Sequence, residues 1–376
     1  MKRYVHEKVA YIEEFQPQDE HLFIVPGAKD EVVTRGRSRA YTIASPLISR
    51  RTQYRALLNL RALGEIIDRE GPDIIESGDP YQVGWKALRV GQAQRIPVVA
   101  FYHSHFAEAY LRGPIQHLLG KAAAEWCMQQ ARAYVRNFYN RFALTLVPSA
   151  GLAAELARWG VSNTCRVGLG VNCNVFRPAD DGVATRAQLG VSEESVLLLY
   201  VGRLAPEKNT QTLFRAFTLL VRQNAKKFHL LVIGDGQQGH QLQRLAAETK
   251  SVTWIRYCAD SEELARYYRA ADFFVHPGVE ETFGLVALES QACGTPVVGV
   301  HGTFMDKVIL HDQSAWAAAN TPASLAEAIE RMAACDLRAL GQIAAASAVE
   351  KFAWPRVFER LFSVYREVIA SYRRAC

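Results

Sequence analysis

Segments with helical periodicity alternate with short apolar runs along the whole chain, and this alternation limits the possible folds more than any other feature. In the first half, residues 4–15 and 54–70 repeat apolar side chains at helical spacing. The apolar runs of that half lie at residues 21–27, 72–78, 97–103 and 144–149. A second series lies at residues 196–203, 228–236, 252–257, 272–278 and 295–300. The pattern predicts an α/β fold with two doubly wound domains, each built on a parallel sheet.

The length of 376 residues suits two domains better than one. The polar segment 175–190, which contains Pro178, separates the two series of apolar runs. We therefore predict an N-terminal domain at 1–178 and a C-terminal domain at 179–353. Residues 354–376 follow as a separate segment, and the spacing of its apolar side chains predicts a long amphipathic helix.

The composition narrows the class of protein. No apolar run reaches the ~18 to 20 residues that a membrane-spanning helix needs, and the first 15 residues lack the apolar core of a signal peptide. We therefore expect a cytoplasmic chain without a transmembrane helix. The seven cysteines include no CxxC pair, which favours reduced thiols over a disulfide framework or a zinc site.

Positive charge is concentrated in the first half of the chain. The net charge is +6, and residues 1–150 hold 20 lysines and arginines against 15 acidic residues. The densest part is TRGRSRA (34–40), with Arg50, Arg51 and Arg55 beyond it. This cluster could meet the phosphates of an acceptor or an anionic membrane surface, or it could be a solvated loop. No aromatic-interleaved basic motif accompanies it, so nucleic acid is not an expected partner.

The turn after the apolar run 196–203 carries two cations before a helical segment. Arg203 and Lys208 lie five residues apart, so a guanidinium and an ammonium can converge on one diphosphate. An ordinary solvated turn uses the same residue types. The spacing alone leaves both interpretations open.

A second turn, GDGQQG at 234–239, satisfies the GxGxxG pattern of dinucleotide-binding proteins. The following helical segment opens with His240 and Gln241 rather than with small residues, and no acidic ribose partner ends the next apolar run. A structural turn is therefore favoured. An NAD-dependent oxidoreductase remains an alternative that depends on this turn alone.

A third turn, EETFGLVALE at 280–289, places two carboxylates around the start of a helix. The helix is predicted to begin near Gly284 or Leu285, and the backbone N–H groups at 284–286 would favour a phosphate. Glu281 precedes the helix and Glu289 lies about one turn inside it, where carboxylates could accept sugar hydroxyls. A glycosidase-like acid and nucleophile pair is the rival interpretation of the two carboxylates.

Taken together, these segments resemble the retaining nucleotide-sugar-dependent glycosyltransferases of family 4, group 1, which have the GT-B fold. That family includes bacterial GDP-mannose-dependent α-mannosyltransferases and sulfoquinovosyl- and glucosyl-diacylglycerol synthases. The resemblance covers nearly the whole chain and is carried by residues 101–106, 138–149, 170–178, 202–209, 232–236 and 263–300. It implies two Rossmann-like domains facing a central cleft, the first for the acceptor and the second for the nucleotide sugar. It also implies that the C-terminal helix crosses back to the first domain.

The resemblance further implies roles for single residues on the donor side. Arg203 and Lys208 would hold the donor diphosphate, and Glu289 the ribose hydroxyls. Phe283 would belong to the same donor site, with the amides of Gly284, Leu285 and Val286 contacting the distal phosphate.

Two residues are implied in catalysis by the same resemblance. Glu281 would contact the transferred sugar from the C-terminal domain. His103 would face that sugar from the N-terminal domain, with His105 as its substitute if the register differs.

The resemblance implies a metal-independent hexosyltransferase in glycolipid or polysaccharide biosynthesis, with no cofactor besides its nucleotide-sugar substrate. The donor would be GDP-mannose or a UDP-sugar. The acceptor is expected to be a hydroxyl, on a lipid or cell-envelope glycan among other candidates, and the basic first domain would allow reversible peripheral association with the inner face of the membrane. Oligomeric state is not predicted.

The sequence departs from the family at several positions. Relatives open with a strand and a Gly-Gly loop, whereas residues 1–12 read as the following helix, which indicates either a misassigned or truncated start or a remodelled site. In the second case the chain would be a degenerate nucleotide-sugar-binding protein. Asn172 stands where relatives usually carry Asp, and segment 301–309 lacks the Gly-Gly-Pro-Glu pattern, for which Asp306 is the candidate substitute.

Overall fold

The computed structural model describes residues 2–49, 54–102, 113–224, 227–281 and 283–375. The helices are α1 (Lys2–Phe15), α2 (Leu60–Glu70), α3 (Gln82–Gln94), α4 (Gly113–Tyr139), α5 (Ala150–Arg158), α6 (Gly182–Gln188), α7 (Thr210–Gln223), α8 (Gly239–Thr249), α9 (Ser261–Ala270), α10 (Leu285–Ala292), α11 (Pro322–Ala333), α12 (Leu337–Phe352) and α13 (Trp354–Ala375). The strands are β1 (His21–Gly27), β2 (Glu31–Arg35), β3 (Ser38–Ala44), β4 (Leu47–Ser49), β5 (Tyr54–Arg55), β6 (Ile75–Ser77), β7 (Val98–Phe101), β8 (Leu144–Val147), β9 (Thr164–Arg166), β10 (Val196–Val201), β11 (Phe228–Ile233), β12 (Val252–Ile255), β13 (Phe273–Val275) and β14 (Val297–Val298). Short 3-10 helices lie at Pro206–Lys208 and Phe304–Lys307.

The C-terminal half is built on a five-stranded parallel sheet in the order β12-β11-β10-β13-β14. β10 is central, and its partners run from Val196 opposite Phe228 to Val201 opposite Ile233. The middle residues of β10 are fully buried, because the sheet is covered on both faces. Every apolar run of the second series therefore became a strand of one sheet, as predicted.

The N-terminal half contains a four-stranded parallel sheet in the order β6-β7-β8-β9. The predicted runs at 72–78, 97–103 and 144–149 supply its first three strands, which confirms a parallel α/β core. The run at 21–27 instead forms β1 of a separate three-stranded sheet, in the order β1-β3-β2. β3 pairs in parallel with β1 and antiparallel with β2, so this half is not one continuous parallel sheet.

The basic segment 34–40 belongs to this smaller sheet, and the interpretation of the segment as a loop is wrong. It comprises the end of β2, a two-residue turn and the start of β3. Gly36 occupies the turn with φ of 54°, a left-handed conformation that glycine adopts without strain.

The C-terminal helix α13 packs on the N-terminal half, as the family resemblance implied. The ring of Phe358 lies 5.7 Å from the Tyr4 ring of α1, and Trp354 stacks on Phe358 at 4.9 Å. The Tyr365 hydroxyl accepts a hydrogen bond from Lys8 at 2.8 Å and donates one to Glu76. A buried polar group therefore anchors α13 to α1 and to β6.

The two halves are joined by a pair of crossing segments. Val171, after β9, forms a parallel β-bridge with Ala353, the residue before α13. A Cβ on Gly151 of α5 would lie 2.7 Å from Cδ1 of Phe304, so this ring of the C-terminal half packs closely against α5. These contacts fix the position of one half relative to the other.

None of the helices in the described ranges is long and apolar enough to cross a membrane.

α4, at 27 residues, changes direction at Gly120, whose φ is 84°. The described cysteines are free thiols at positions 127, 165, 173, 258, 293 and 335.

Candidate donor-binding site

Lys208 and Glu281 form an ion pair at the carboxyl edge of the C-terminal sheet. Lys208 ends the 3-10 helix after β10, and Glu281 lies in the loop between β13 and α10. Lys208 Nζ lies 2.5 Å from Glu281 Oε2, and the side chains are 27% and 21% exposed. The pairing of β10 with β13 brings these residues together, although they lie 73 positions apart. A residue predicted to bind the donor and a residue predicted to act in catalysis thus meet at one point of the fold.

The environment of Glu281 keeps this carboxyl group ionised. Burial on its own raises the pKa of Glu281, because the charged form loses water contacts. The positive charge of Lys208 and the hydrogen bond that it donates, with a smaller effect from Arg203, outweigh burial and hold the pKa below its usual value. The carboxylate can therefore accept hydrogen bonds from sugar hydroxyls at neutral pH.

The start of α10 faces the same loop. Gly284 stands at the N-cap with φ of 76°, and a Cβ there would lie 2.6 Å from Met305 Sδ. The Gly284 carbonyl accepts the first intrahelical bond from Ala287, at 3.0 Å, so the amides of Leu285 and Val286 precede it. The helix therefore begins where the sequence predicted, and the amides of Leu285 and Val286, which precede its first intrahelical bond, are suited to an anion.

Phe283 directly precedes Gly284, the N-cap residue of α10. Its ring is 2% exposed and lies 5.7 Å from the ring of Phe352 at the end of α12. Phe283 therefore belongs to the core of the C-terminal half and also lines the cavity that Glu281 lines.

A cavity of about 230 Å³ lies between the two halves at this edge. The C-terminal half contributes Gly202, Lys208, Glu281 and residues 283–286, and the N-terminal half contributes Tyr4, Phe101 and Leu169. Ligands of open α/β sheets bind at the carboxyl ends of the strands, where this cavity lies. The structure thus brings Lys208, Glu281 and the start of α10 into one chamber.

Among the residues that the structure describes, Arg203 is not part of the cavity lining, although its neighbour Gly202 is. Its guanidinium pairs with Glu207 at 2.9 Å, and its side chain is 59% exposed. Its charge nevertheless contributes to the lowered pKa of Glu281. The predicted role of Arg203 in binding the diphosphate stays a prediction.

Glu289 is held away from solvent by partners from both halves. Its carboxylate is 4% exposed, accepts a hydrogen bond from the Tyr268 hydroxyl at 3.1 Å, and forms an ion pair with Arg3 of α1. The guanidinium carbon of Arg3 also lies 5.9 Å from the centre of the Phe176 ring. The carboxylate predicted to bind ribose is therefore engaged by the first helix.

The glycines of the 234–239 turn have a structural explanation. Gly234 has φ of 141°, and a Cβ there would lie 2.0 Å from the carbonyl oxygen of Gly202. A Cβ on Gly236 would lie 2.3 Å from the carbonyl oxygen of Leu204. The turn is glycine-rich because it crosses the neighbouring backbone closely.

The arginines of segment 34–40 are mostly engaged within the chain. Arg37 Nη2 donates to the carbonyl oxygens of Ile12 and Glu13, at 2.7 Å each. Arg39 pairs with Glu20 at 2.6 Å and with Glu70 at 3.0 Å. These contacts reduce the positive charge that this segment offers to a partner.

The sequence analysis assigned no role to three cavity residues with polar side chains: Tyr4, Tyr200 and His276. Tyr4 stacks on Phe101 at 5.2 Å, and the buried Tyr200 donates to the carbonyl oxygen of Arg203 at 3.0 Å. Tyr200 and His276 stand in apolar runs that read as plain strands. The position of Tyr200 and His276 near the carboxyl ends of strands was the sequence signal that could have identified them as cavity residues.

Some predicted residues lie outside the described part of the chain. These are His103 and its substitute His105, together with Arg50 and Arg51 of the basic cluster.

Asn172 is described, and its amide donates to Glu7 of α1 at 3.1 Å. An aspartate at 172 would instead face a second carboxylate, which accounts for the asparagine. Asp306 accepts from the Gly302 amide at 2.9 Å.

Family models match both halves of the chain. Residues 3–175 match the model described as Glycosyltransferase Family 4, and residues 183–346 match the one described as Glycosyl transferases group 1. The site described above draws its ion pair and helix start from the second match and its facing wall from the first.

Curated relatives carry glycosyltransferase names. The chain is 36% identical over 326 residues to the D-inositol 3-phosphate glycosyltransferase of Thermobispora bispora, covering 78% of this chain and 69% of that protein. It is 29% identical to the GDP-mannose-dependent alpha-mannosyltransferase of Corynebacterium glutamicum, covering 74% and 63%. It is 28% identical to a sulfoquinovosyl transferase of Arabidopsis thaliana, of which it spans 48%.

Solved structures share the fold. A sucrose-phosphate synthase from Thermosynechococcus elongatus superposes with a TM-score of 0.73 over 98% of this chain and 93% of that one, at 23% identity. The Anabaena protein HepE, solved with UDP and glucose, gives 0.65 over 87% and 85%, at 19% identity. At such identities the likeness concerns the fold, which is GT-B. By its family matches and its similarity to the Thermobispora protein, the chain belongs to the group 1, family 4 glycosyltransferases.

Proposed function

We propose that this chain is a retaining hexosyltransferase that moves a sugar from a nucleoside diphosphate to an acceptor hydroxyl. The observation that carries the proposal is the Lys208–Glu281 ion pair facing the start of α10 inside the cavity between the halves. The pair supplies a cation for a diphosphate and a carboxylate for a sugar, and the helix start supplies amide donors for phosphate. One chamber therefore holds groups suited to each part of a nucleotide sugar.

The leaving group is a nucleoside diphosphate, on which negative charge builds as the glycosidic bond breaks. Lys208, Arg203 and the amides of Leu285 and Val286 would stabilise that charge, since they are positive before the reaction begins. The acceptor hydroxyl would attack the face that the diphosphate leaves, and the departing phosphate oxygen would take its proton. This route gives retention of configuration and needs neither a metal nor a covalent sugar.

The remaining roles follow the family assignment. Glu281 and His103 would contact the transferred sugar from the two domains. Glu289 would bind the ribose after its ion pair with Arg3 breaks. In the proposed division, residues 1–178 bind the acceptor and 179–353 the nucleotide sugar. The segment 354–376 then packs on the first domain.

The donor is proposed to be GDP-mannose or a UDP-sugar. The GDP-mannose-dependent enzyme among the relatives supports the first of these donors. For the acceptor we propose a hydroxyl on a lipid or cell-envelope glycan, reached at the inner face of the membrane. The net charge of +6 supports reversible association with such an anionic surface.

The test begins with binding. Chemical unfolding of the full chain is followed with UDP, GDP or NAD at millimolar concentration, since a ligand at 100 times its Kd stabilises by about 2.7 kcal/mol. Stabilisation by UDP or GDP, without NAD, is expected and identifies the donor class. Stabilisation by NAD alone would overturn the proposal in favour of an oxidoreductase.

The second arm measures turnover. Release of nucleoside diphosphate from GDP-mannose and UDP-glucose is followed with lipid and soluble acceptors, and NMR reports the anomeric configuration of the product. We expect an α-linked product from an α-linked donor, with Glu281→Gln losing activity and the exposed Glu350→Gln on α12 retaining it. Nucleotide binding without release under any condition would indicate a degenerate binding protein, and an inverted product would overturn retention.

A further inference from the structure

The outer edge of the small N-terminal sheet is exposed. β2 stands last in the order β1-β3-β2, so among the described strands it pairs on one side only, with β3. Every residue of β2 (Glu31–Arg35) is exposed, including Val32 at 54% and Val33 at 40%. The strand contains no proline that would interrupt a ladder. An edge of this kind presents backbone groups with which another strand can pair.

The register of the β2–β3 hairpin determines which backbone groups point outward. Arg35 lies opposite Ser38 across the two-residue turn. Residues that flank a two-residue turn form a hydrogen-bonded pair, and such pairs alternate with non-hydrogen-bonded pairs along an antiparallel ladder. Every second residue of β2, counted back from Arg35, therefore directs its backbone groups at β3. The backbone groups of Val32 and Thr34 point instead at the open edge.

The two ends of β2 carry opposite charges. Glu31 begins the strand and Arg35 ends it. Glu31 lies 3.3 Å from Lys29, but both side chains are exposed, at 44% and 73%, and an ion pair of this kind contributes little. Arg35 forms no ion pair or side-chain hydrogen bond within the ranges that the structure describes. Both charges can therefore interact with a partner strand.

A second copy of β2, running antiparallel and centred on Val33, matches this arrangement. In a two-fold symmetric pairing each contact between two positions occurs twice. Val32 of each copy then forms a hydrogen-bonded pair with Thr34 of the other, and Val33 meets Val33 at the two-fold axis. Glu31 lies opposite Arg35 at both ends. Opposite charges that face each other across an antiparallel pair stabilise it.

Other registers of self-pairing are less favourable. A shift by one residue sets outward-pointing backbone groups against groups that point at β3, so the ladder cannot form. A shift by two residues in one direction places Arg35 opposite Lys29, which has the same charge. The opposite shift places Arg35 opposite Val33 and moves Glu31 beyond the end of the strand. The charges that deter unrelated strands from joining this edge therefore favour one pairing.

We propose that this chain forms a two-fold symmetric dimer through antiparallel pairing of β2 with β2 of a second copy. The two small sheets then form one continuous sheet. The paired strand is about 17 Å long, which is short for a permanent interface, so association is expected to be weak and to depend on concentration. β2 does not line the donor cavity, so the dimer is independent of the proposed function.

Sedimentation equilibrium of the full chain over a wide concentration range tests the association. We expect the average mass of the wild type to rise from one chain toward two. Glu31→Arg and Arg35→Glu should each raise the dissociation constant about tenfold, because each places like charges opposite one another at both ends. The double variant restores opposite charges and should recover most of the loss. Glu350→Arg, at an exposed position of α12, is the control for net charge.

Cysteine substitution tests the register. Thiols introduced by Val33→Cys would face each other across the axis at a Cα separation of ~4.5 Å, within reach of a disulfide. Thiols introduced by Val32→Cys would lie two residues out of register. We expect mild oxidation to give a covalent dimer with Val33→Cys, and not with Val32→Cys or the wild type. Peptide mass analysis identifies the linked position.

Three results would overturn the dimer. The first is a wild-type chain that stays monomeric at every concentration. The second is association that neither charge variant weakens, which would place the contact on another surface. The third is equal cross-linking by Val32→Cys and Val33→Cys, which would exclude the register. The midpoint of thermal unfolding should be unchanged in dilute samples of all variants, because the replaced side chains are exposed.

Discussion

Arg3 in the first turn of α1 forms an ion pair with Glu289 in α10, although 286 positions of sequence separate them. The Glu289 side chain is 4% exposed and that of Arg3 is 48% exposed, so the guanidinium covers an otherwise enclosed carboxylate. The pair joins the first helix of the chain to the half that carries the candidate donor site. A ribose bound to Glu289 would have to compete with Arg3 for the same oxygens.

The first prediction concerns this competition. Arg3→Met removes the charge and keeps a long side chain against Phe176, so we expect tighter binding of UDP or GDP, by about 3- to 10-fold, corresponding to ~0.7 to 1.4 kcal/mol. Isothermal calorimetry at low salt measures the change. Glu289→Gln should act in the opposite direction, since an amide accepts hydroxyls less strongly than a carboxylate.

Arg360→Met serves as the matched control, because Arg360 pairs with Glu367 on the exposed side of α13. We expect no change in nucleotide affinity for this variant. Weaker nucleotide binding in Arg3→Met would show instead that Arg3 assists the ligand.

The second prediction concerns Lys208. Replacing it by glutamine removes the charge nearest Glu281 and should lower kcat/KM on the order of 10²-fold, the usual effect of losing one group that stabilises a leaving anion. The pKa of Glu281 should rise in this variant, because burial would be less opposed. Steady-state kinetics across pH measure both effects. Lys351→Gln, on the exposed face of α12, is the control, and unchanged kinetics in Lys208→Gln would remove Lys208 from the site.

The third prediction concerns the close approach of Gly234 to the backbone of Gly202. Gly234→Ala would place a Cβ 2.0 Å from the carbonyl oxygen of Gly202, at a φ of 141°. We expect the free energy of unfolding to fall by about 3 kcal/mol or more, since backbone cannot move aside cheaply. Gly71→Ala is the comparison: its φ is 53° and nothing lies within 4 Å of the added atom, so only ~1 kcal/mol of strain is expected. Urea unfolding measures both, and equal effects would contradict the close-approach explanation.

The fourth prediction concerns pH. Burial, with a contribution from Lys8, lowers the pKa of His21 from 6.5 to about 4, and Glu76 opposes this effect. The unfolded chain therefore binds a proton below pH 6.5 that the folded chain does not bind until about pH 4. Stability contributed by neutral His21 is present above pH 6.5 and is lost as pH falls toward 4, by about 3 kcal/mol in total.

His21→Gln should make the free energy of unfolding less dependent on pH between 6.5 and 4. Urea unfolding at half-unit pH steps follows the dependence, with the exposed His240→Gln as a control that keeps the wild-type slope. An unchanged slope in His21→Gln would mean that His21 titrates alike in both states.

The C-terminal half was predictable because its signals are local. The runs that became β10 to β14 are continuous and apolar, as strands buried on both faces must be, and the start of α10 follows from Gly284 and the apolar residues after it. The pairing of Lys208 with the loop of Glu281 followed only from the rule that parallel strands present their carboxyl ends at one edge.

The smaller N-terminal sheet was not predictable in the same way. β2 is exposed along its whole length, so its sequence lacks the apolar alternation of a half-buried strand. Arg37 and Arg39 read as charge available to a partner, whereas their engagement by Glu13, Glu20 and Glu70 depends on how α1, α2 and β3 come together.

The sequence by itself determined the α/β alternation, the two halves and the residue types of the candidate donor site, because periodicity and turn chemistry are properties of neighbouring residues. Only the tertiary structure decided that Arg3 covers Glu289 and that Tyr4 and His276 line the cavity. These facts join residues that are distant along the chain. Their contacts depend on side-chain packing between elements, for which no local pattern exists.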